Sequence, residues 1–571
     1  MMIRASAIAF CLVAVPGTSG AQSPHGASSM AVVTPATACA GLSAVDVTSI
    51  GGPGSRITGA TEGVHEGTAM CIVEGSLAPA IGFKVLLPTR TWTQRYLQVG
   101  CGGLCGRVSL QVGAADGCAQ VAGGGFVIGS TDMGHAGPGG EFGQDPQKRA
   151  DFAHRAMHLT AVVSKSLIRA FYGREAAFSY FTGCSDGGRE ALVEAQRYPD
   201  DFDGIIAGAP AMSFQVQNGL FHAWQARSNQ GADGAPILVA ARLPLLHTAV
   251  LDRCDRLDGQ ADRIIANPSA CRFDPATLQC ASGATATDAC LSAAEVEVVR
   301  RFYDGPRDPV TGARLTLGGP QPGSELSWAG VYVPASASQP IFSERITLDA
   351  LRNLTFESNP PASFTLADVR FDRAFFDRLR PLHPLYDATN PDLSAFASSG
   401  GKLILWHGWS DPHISPIYTV AYHDALGAQL GAAARDAFVR TYLLPGVYHC
   451  SGGEGPSRID LLTAMLAWVE QGAAPDAIVA RSAAPGPSSG FGLPTMPPPG
   501  ARAPVPADAP VTKGSDSVAR PVYPYPFVAV WDGTGDPAQA SSYVRGSTPM
   551  AVPVPAWAGS EFYRPYAPRQ R

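Results

Sequence analysis

The chain has 571 residues, of which 45% are apolar and 16% are charged, and its formal net charge is −6. This composition excludes a disordered chain and gives no indication of a coiled coil. Because the slightly acidic charge contains no long basic run, it argues against nucleic acid as a partner. The length exceeds that of one compact core, so we expect a large domain with an insertion, or two domains. With nucleic acid disfavoured, we expect a small substrate.

The first 21 residues have the pattern of a secretory signal peptide. Arg4 precedes the apolar stretch 5–15, and the small residues Ser19 and Ala21 offer a cleavage point. A membrane anchor is the alternative, but eleven apolar-rich residues are too few to span a bilayer and no later segment is long enough. The sequence therefore predicts removal of residues 1–21, no membrane span, and a secreted or periplasmic protein.

Cysteine usage agrees with an oxidising compartment. Cys11 would leave with the signal peptide, so eleven of the twelve cysteines remain. In an exported protein most of them should form disulfides. Because eleven is odd, at least one must stay free or pair between chains.

From residue 81 to 210, apolar strand-like runs alternate with glycine-rich turns and helical periodicity. The predicted strands are 81–87, 96–99, 125–129 and 178–181, and the predicted helices are 152–171 and 189–197. Strands that alternate with helices indicate a mostly parallel sheet covered by helices on both faces. Residues 22–209 are therefore interpreted as the first part of an α/β domain.

The next segment, 210–395, contains four cysteines and lacks the alternation, so it is interpreted as an inserted lid domain. The strand and helix pattern then resumes with predicted strands 403–406 and 439–444, and residues 396–571 complete the α/β domain. Within this second part, residues 482–519 are rich in Pro, Gly, Ala and Ser and are interpreted as a mobile loop or linker.

The stretch FTGCSDGGRE begins at the end of the strand 178–181 and opens a helix. It contains the pattern G-x-S-x-G, in which Gly183 and Gly187 remove side chains around Ser185. Because a sharp turn from strand to helix exposes such a serine, Ser185 is a candidate nucleophile of the α/β-hydrolase type. An ordinary glycine-serine turn is the alternative, and the strand and helix on either side favour the nucleophile.

A serine nucleophile needs a base and an acid that orients the base, and α/β-hydrolases place them in the chain order Ser, Asp or Glu, His. Asp411 and His449 each follow a predicted strand in that order. The alternatives are a turn-stabilising role for Asp411 before a proline and a structural role for a buried His449. His407 and His413 are rival bases, but they flank the candidate acid and do not follow the last strand.

Two cysteines adjoin the candidate nucleophile and base. Cys184 immediately precedes Ser185, and Cys450 immediately follows His449. A disulfide between them would hold the two side chains together, and reactive geometry is sensitive to displacements of about 1 Å. Two unrelated buried thiols are the alternative.

Attack on an ester carbonyl creates an oxyanion, which needs hydrogen-bond donors fixed in advance. The turn at Ser185 offers the backbone N–H of Asp186. The glycine-rich turn GCGGLCG, after an earlier predicted strand, offers a second N–H from Gly102 or Gly103. Simple chain reversal is the alternative role of that glycine-rich turn.

The segment CDRLDGQADRII in the insertion concentrates Asp255, Asp258 and Asp262 around a glycine. Carboxylates and nearby carbonyl oxygens are the ligands that calcium prefers, although the spacing is not that of an EF-hand. Spacing alone favours an acidic solvated turn over a calcium site. Cys254 and Cys271 bracket the segment and could close it as a rigid loop.

The chain contains, in this order, the motifs FTGCSDGGREALVEAQRYPDDFDGIIAGAPA, NPDLSAFASSGGKLILWHGWSDPHISP and YHCSGGEGP. With them it resembles the tannase and feruloyl esterase family, which also contains mono(2-hydroxyethyl) terephthalate hydrolases. The resemblance runs from about residue 39 to 480. It implies an α/β-hydrolase fold with a lid domain, a catalytic triad at Ser185, Asp411 and His449, and a disulfide between the cysteines that adjoin the serine and the histidine.

The resemblance also implies a structural calcium ion in the lid, which reverses the interpretation from spacing. Its ligands would be Asp255, Asp258, Asp262 and the backbone carbonyls of Gln260 and Ile264. No organic cofactor is implied. Further disulfides are implied for Cys254 with Cys271, Cys280 with Cys290, and Cys39 with Cys71, whereas the pairing of Cys101, Cys105 and Cys118 stays open.

The sequence departs from the family pattern at two positions. Tyr448 replaces the usual glycine before the histidine and could narrow the site or add a phenol near the substrate. Tyr523 stands where relatives usually carry a cysteine. Trp328, Tyr332 and Phe342 are candidates for an aromatic wall of the site, with ordinary packing inside the lid as the alternative.

Together these features predict a serine carboxylesterase that hydrolyses small esters of aromatic carboxylic acids through an acyl-enzyme. Hydroxycinnamates such as ferulate are the first choice of acyl group. Gallate esters and terephthalate monoesters are the alternatives, because the fold sets the reaction whereas the lid sets the substrate. A secreted protein that binds phenolic compounds without turnover is an alternative from another class.

Overall fold

The computed structural model of the chain describes residues 26–281, 289–482 and 518–570. The predicted signal peptide, residues 1–21, lies outside the described residues, as does most of the predicted loop 482–519. The two ends of that loop are paired, because the N–H of Ser482 donates to the carbonyl oxygen of Val518 at 2.8 Å.

Nine strands form the central sheet. They are β1 (Arg56–His65), β2 (Thr68–Leu77), β3 (Ile81–Pro88), β4 (Arg95–Val99), β5 (Phe126–Thr131), β6 (Phe178–Cys184), β7 (Gly204–Gly208), β8 (Lys402–Gly408) and β9 (Val439–Leu444). Their spatial order is β1-β2-β3-β5-β4-β6-β7-β8-β9. Two small sheets pair β10 (Ile478–Arg481) with β11 (Ala519–Val522), and β12 (Ala529–Trp531) with β13 (Tyr543–Arg545).

The central sheet is antiparallel at one end and parallel at the other. β1, β2, β3 and β5 pair antiparallel in succession, whereas β5, β4, β6, β7, β8 and β9 pair in parallel. The α/β class predicted from the sequence is confirmed, with a larger antiparallel part than expected. β1 and β2 were not predicted, because their mixed exposure and interspersed glycines give no continuous apolar run.

Helices lie before, between and after the strands. The α-helices among the described residues are α1 (Thr48–Gly51), α2 (Ala119–Ala122), α3 (Pro146–Ala150), α4 (Ala156–Tyr172), α5 (Asp186–Arg197), α6 (Phe214–Val216), α7 (His222–Ser228), α8 (Leu243–Cys254), α9 (Ala293–Asp304), α10 (Phe342–Asn353), α11 (Arg373–Asp377), α12 (His383–Tyr386), α13 (Ser394–Ser398), α14 (Ile417–Leu430), α15 (Ala432–Phe438) and α16 (Leu461–Gln471). In the ranges that the structure describes, no helix combines the length and the apolar character needed to span a membrane.

Successive residues of the parallel strands pack against different helix layers. Ile205 and Leu403 belong to the apolar core that contains residues of α4 and α5, whereas Ile206 and Ile404 belong to the core that contains residues of α16. This division follows from the alternation of side chains along a strand. It explains why these strands are apolar at consecutive positions.

The segment between β7 and β8, residues 209–401, leaves the sheet and returns to the neighbouring position. Its described residues add no strand to the central sheet. Part of the segment packs a separate apolar core that includes Leu246, Val299, Phe302 and Trp328. This is the region that the sequence analysis interpreted as an insertion.

Five disulfides link described residues. They are Cys39–Cys71, Cys101–Cys105, Cys184–Cys450, Cys254–Cys271 and Cys280–Cys290. Four of these pairings were expected from the sequence. The structure adds the pair Cys101–Cys105 and leaves Cys118 as a buried free thiol.

A buried ion pair connects the central sheet to its last helix. Arg95 of β4 and Glu470 of α16 have fully buried side chains, and two hydrogen bonds of 2.7 Å join them. Glu470 also accepts hydrogen bonds of 2.8 Å from the Tyr180 hydroxyl and from the backbone N–H of Ser28. Because a buried charge without its partner is strongly unfavourable, the four groups depend on one another.

We expect Glu470→Gln to lower the free energy of unfolding by about 3–5 kcal/mol, because Arg95 would keep a buried charge without its counterion. Glu175→Gln is the matched control, since it breaks an ion pair with Arg169 whose side chains are both exposed, and we expect it to cost less than about 1 kcal/mol. Urea unfolding of both variants measures the difference. Equal small losses would contradict the assigned role of the buried pair.

Candidate active site

Ser185 lies in a strained turn between β6 and α5. Its backbone angles are φ 66° and ψ −121°, a region that residues other than glycine seldom adopt. The turn is possible because the neighbouring backbone segments approach closely: a Cβ atom added at Gly183 would lie 2.4 Å from the carbonyl oxygen of Gly187. The pattern G-x-S-x-G therefore corresponds here to a physical requirement for glycine.

Backbone hydrogen bonds attach this turn to the end of β7. The N–H of Ser185 donates to the carbonyl oxygen of Gly208 at 2.9 Å, and the N–H of Ala211 donates to the carbonyl oxygen of Ser185 at 3.0 Å. The strained conformation is thus held from both sides. Ser185 itself is half-buried.

Asp411 and His449 form a buried pair. Asp411 follows β8 and His449 follows β9, and 2.7 Å separates Nδ1 of His449 from Oδ2 of Asp411. The other oxygen of Asp411, Oδ1, accepts the backbone N–H groups of His413 and Ile414 at 2.8 and 3.0 Å. Only 2% of His449 and 1% of Asp411 are exposed, so both the carboxylate and the imidazole are held in one orientation.

The surroundings keep Asp411 ionised. Burial alone would raise its pKa, but the neighbouring imidazoles of His449 and His407 lower the pKa of Asp411 well below its ordinary value. An ionised Asp411 holds the proton of His449 on Nδ1, and this leaves Nε2 as the basic nitrogen.

Ser185 and His449 line the same cavity, which is open to solvent. Its lining residues are Gly103, Leu104, Ser185, Asp186, Ala211, Phe214, Gln217, Asn218, His222, Phe342, Ile346, His413, Ile414 and His449. The disulfide between Cys184 and Cys450, with an S–S distance of 2.05 Å, joins the residues next to them in sequence. The mixed polar, aliphatic and aromatic lining is that of a site for a small organic molecule.

The two rival histidines have different surroundings. His407 is fully occupied, since its Nδ1 bonds to the Thr419 hydroxyl at 2.7 Å and its Nε2 lies 3.1 Å from both Asp411 and the carbonyl oxygen of Ile414. It does not line the cavity. His413 does line it, and its ring centroid is 4.8 Å from that of His449.

Two of the three residues whose backbone N–H groups are candidates to hold an oxyanion line this cavity. Asp186 is the first residue of α5, so its N–H has no acceptor within the helix. Gly103 lines the cavity, whereas Gly102 does not. The turn that carries Gly103 is closed by the Cys101–Cys105 disulfide.

The side chain of Asp186 has a separate role. Its carboxylate makes hydrogen bonds of 2.6 and 3.0 Å with Arg189, and both side chains are buried. The Arg189 guanidinium in turn lies over the ring of Phe152. The carboxylate is therefore a structural partner of α5, and only the backbone of Asp186 remains available to a reacting group.

Sequence reasoning missed most of the cavity wall. Gln217 and His222 reach the cavity from the insertion, where no motif or period marked them. Of the three aromatic candidates in the insertion, only Phe342 lines the cavity, because Trp328 and Tyr332 are fully buried in the insertion's own core. The ordinary packing alternative therefore applies to both of them.

Tyr448 also lies outside the lining of the cavity. Its hydroxyl donates a hydrogen bond to Glu454. Tyr448 is thus directed to a neighbouring carboxyl group and is not part of the cavity wall.

The predicted calcium loop carries more negative charge than its surroundings neutralise. Oδ1 of Asp255 is buried and has no hydrogen-bond partner among the described residues. Burial, with the charges of Asp262 and Asp255, raises the pKa of Asp258 to about 6. The Arg520 guanidinium lies 2.7 Å from Oδ2 of Asp262. It is the one ion-pair partner of these three carboxylates in the described part of the chain. An unpartnered buried carboxylate oxygen near two further carboxylates suits a divalent cation by charge, but the three aspartates are not among the described groups whose ligand atoms lie within 4.8 Å of one another.

The family model for tannase and feruloyl esterase matches residues 64–546. An uncharacterized esterase of Xanthomonas campestris pv. campestris is 32% identical, over 92% of this chain and 96% of the relative. A mono(2-hydroxyethyl) terephthalate hydrolase of Piscinibacter sakaiensis is 32% identical, over 84% of this chain and 85% of the relative.

A solved structure shares the fold. Feruloyl esterase B from Aspergillus oryzae superposes with a TM-score of 0.72 at 25% identity and covers 89% of this chain and 100% of that chain. The family match extends over most of the sequence and includes the strand ends that carry Ser185 and Asp411. The chain therefore belongs to the tannase and feruloyl esterase family, and it is an esterase.

Proposed function

We propose that this esterase hydrolyses esters of aromatic carboxylic acids through an acyl-enzyme formed on Ser185. The observation that carries the proposal is the shared cavity of Ser185, in its strained turn, and His449, whose Nδ1 is bonded to an ionised Asp411. These are the roles of nucleophile, base and orienting acid.

In the first half of the reaction, Oγ of Ser185 attacks the ester carbonyl carbon while Nε2 of His449 takes the hydroxyl proton. The carbonyl oxygen becomes negative and receives hydrogen bonds from the N–H groups of Asp186 and Gly103. The bond between the carbonyl carbon and the alcohol oxygen then breaks, and His449 gives its proton to the departing alcohol.

In the second half, water replaces the alcohol. The water oxygen attacks the acyl carbon while His449 accepts a proton from the water. The bond between the acyl carbon and Oγ of Ser185 then breaks. The proton returns to Oγ of Ser185, and the carboxylic acid leaves. Asp411 stays ionised throughout and holds the imidazole in one tautomer.

The acyl group is proposed to be a hydroxycinnamate such as ferulate. The rings of Phe214 and Phe342 in the cavity lining support an aromatic acyl group, and the solved feruloyl esterase B has the same fold. Gallate esters and terephthalate monoesters are the alternatives, the latter suggested by the name of the Piscinibacter relative.

We further propose export from the cell, supported by five disulfides and by the signal-like residues 1–21. A structural calcium ion is proposed in the insertion, held by the side chains of Asp255, Asp258 and Asp262 and by the carbonyls of Gln260 and Ile264. Calcium would neutralise the buried carboxylates and stabilise that loop, without taking part in the reaction.

Ser185→Ala tests the nucleophile. We expect it to reduce kcat/KM for methyl ferulate and p-nitrophenyl acetate by about 10⁴-fold or more, because no other group would form the acyl-enzyme. Ser179→Ala is the matched control, since Ser179 is a buried serine on the same strand, β6. Unchanged rates for Ser185→Ala would remove Ser185 from the mechanism. A wild-type protein that hydrolyses no aryl ester would favour a non-catalytic phenolic-binding protein.

Removal of the Cys184–Cys450 disulfide tests its role at the site. We expect the double serine variant to lose activity by about 10- to 100-fold at temperatures where circular dichroism shows a folded protein, because Ser185 and His449 would no longer be fixed together. The double serine variant of Cys280 and Cys290 is the control, as it removes a disulfide of the insertion that closes a separation of only 10 residues. A folded, fully active Cys184/Cys450 variant would contradict the assignment.

Chelation tests the calcium proposal. We expect EDTA to lower the melting temperature and added calcium to restore it, because the metal binds the folded state. Asp258→Asn should reduce this calcium response, whereas Asp274→Asn, at an exposed position of the same insertion, should leave it unchanged. An identical melt after chelation, with no calcium found by metal analysis, would count against the site.

A further inference from the structure

We propose that Gln217, His222 and His413 form a subsite that binds a neutral hydroxyl group of the substrate and disfavours a carboxylate. The inference rests on the proposed esterase function, because it assigns the substrate specificity of the same cavity. All three residues line the cavity that contains Ser185. We call them the polar subsite.

The side-chain amide of Gln217 is held by its nitrogen and leaves its oxygen free. Its Nε2 donates to the backbone carbonyl oxygen of His413 and lies 3.3 Å from Nε2 of His222. The amide orientation is determined by the His413 carbonyl, which accepts from an N–H group only. Oε1 of Gln217 is buried and has no partner among the described residues, so the subsite contains an unused acceptor.

The tautomer of His222 follows from its neighbours. Because the Gln217 nitrogen can only donate, Nε2 of His222 accepts, and its Nδ1 carries the proton. Nδ1 lies 2.9 Å from the hydroxyl oxygen of Ser343, which can take that hydrogen bond. His222 is therefore fully engaged and serves to fix the Gln217 amide.

His413 supplies the second unused group. Its Nε2 is buried and has no hydrogen-bond partner in the part of the chain that the structure describes. Its ring packs edge-on against the ring of Phe342, with 4.6 Å between the ring centroids, and its centroid lies 4.8 Å from that of His449. A group bound by His413 would thus lie beside an aromatic wall and close to the base.

The polar subsite carries no positive charge. Burial lowers the pKa of His222 to about 3, and burial also lowers the pKa of His413 well below its ordinary value, with the charge of His449 acting in the same direction on both. Both rings are therefore neutral near pH 7. None of the described residues that line the cavity is Lys or Arg.

This set of groups matches a hydroxyl. A hydroxyl can donate to Oε1 of Gln217, and it can donate to or accept from Nε2 of His413, so it suits each of the two unused groups. A carboxylate can only accept, and it would face the Gln217 oxygen without a cation to offset its charge. The subsite consequently favours hydroxylated aromatic esters over terephthalate monoesters.

Two parts of an ester could supply the hydroxyl: the aromatic ring of the acyl group or the departing alcohol. Matched ester pairs distinguish them in the wild-type protein. Methyl 4-hydroxycinnamate against methyl cinnamate reports on an acyl hydroxyl, and 2-hydroxyethyl cinnamate against ethyl cinnamate reports on an alcohol hydroxyl. Methyl 4-carboxycinnamate tests the carboxylate.

We expect one of the two hydroxylated esters to exceed its partner in kcat/KM by about 10- to 100-fold, because an ester without the hydroxyl leaves buried polar groups of the subsite unpaired. Each kcat/KM is first divided by the rate of alkaline hydrolysis of the same ester. The carboxylated ester should be slower than methyl cinnamate. Hydrolysis of all the esters at equal corrected rates, or a preference for the carboxylated one, would overturn the subsite. Such a result would leave Ser185 as the nucleophile untouched.

Gln217→Leu and His413→Phe should each reduce the hydroxyl preference toward unity, as seen in the ratio within the ester pair. Gln225→Leu is the matched control, because Gln225 of α7 is also buried with unpartnered amide atoms but does not line the cavity. Its ratio should equal that of the wild type. A ratio that persists in both subsite variants, folded by circular dichroism, would contradict the assignment of these residues.

Discussion

The level register of four parallel strands is the constraint on which the site depends. β6 ends at Cys184 opposite Gly208 of β7, Gly208 pairs with Trp406 of β8, and Gly408 of β8 pairs with Leu444 of β9. Because parallel strands end at the same edge of a sheet, the turns that follow them must share one region of space. The pairing of the strands alone therefore places the serine, the aspartate and the histidine at one edge of the sheet.

Much of this edge could be predicted from the sequence. Ser185, Asp411 and His449 each follow an apolar run of sequence. The glycines around Ser185 and the cysteines next to Ser185 and His449 can be seen in the sequence directly, as can the order of the three residues along the chain. β1 and β2 could not be found in the same way, because a half-exposed strand has no continuous apolar run. The Cys101–Cys105 pair was equally hidden, since three unassigned cysteines allow more than one pairing.

The cavity wall could not be predicted for a different reason. Gln217 and His222 come from an insertion with no regular alternation, so only the folded chain shows which of its side chains line the cavity of Ser185. Trp328 and Tyr332 illustrate the problem: by residue type they suit an aromatic wall as well as Phe342 does, yet both are packed in the insertion's own core. The strand ends predict where the candidate catalytic residues lie. The residues of the cavity wall depend on how the separate core of the insertion packs against that edge of the sheet.

The disulfide between Cys184 and Cys450 also has a topological consequence. It closes a covalent ring that spans 266 positions of sequence and contains the whole segment from 209 to 401. A protease that nicks any exposed point of that ring opens it without releasing either piece, since both stay joined through sulfur. The wall of the cavity is therefore tethered to the serine and the histidine even after its peptide chain has been cut.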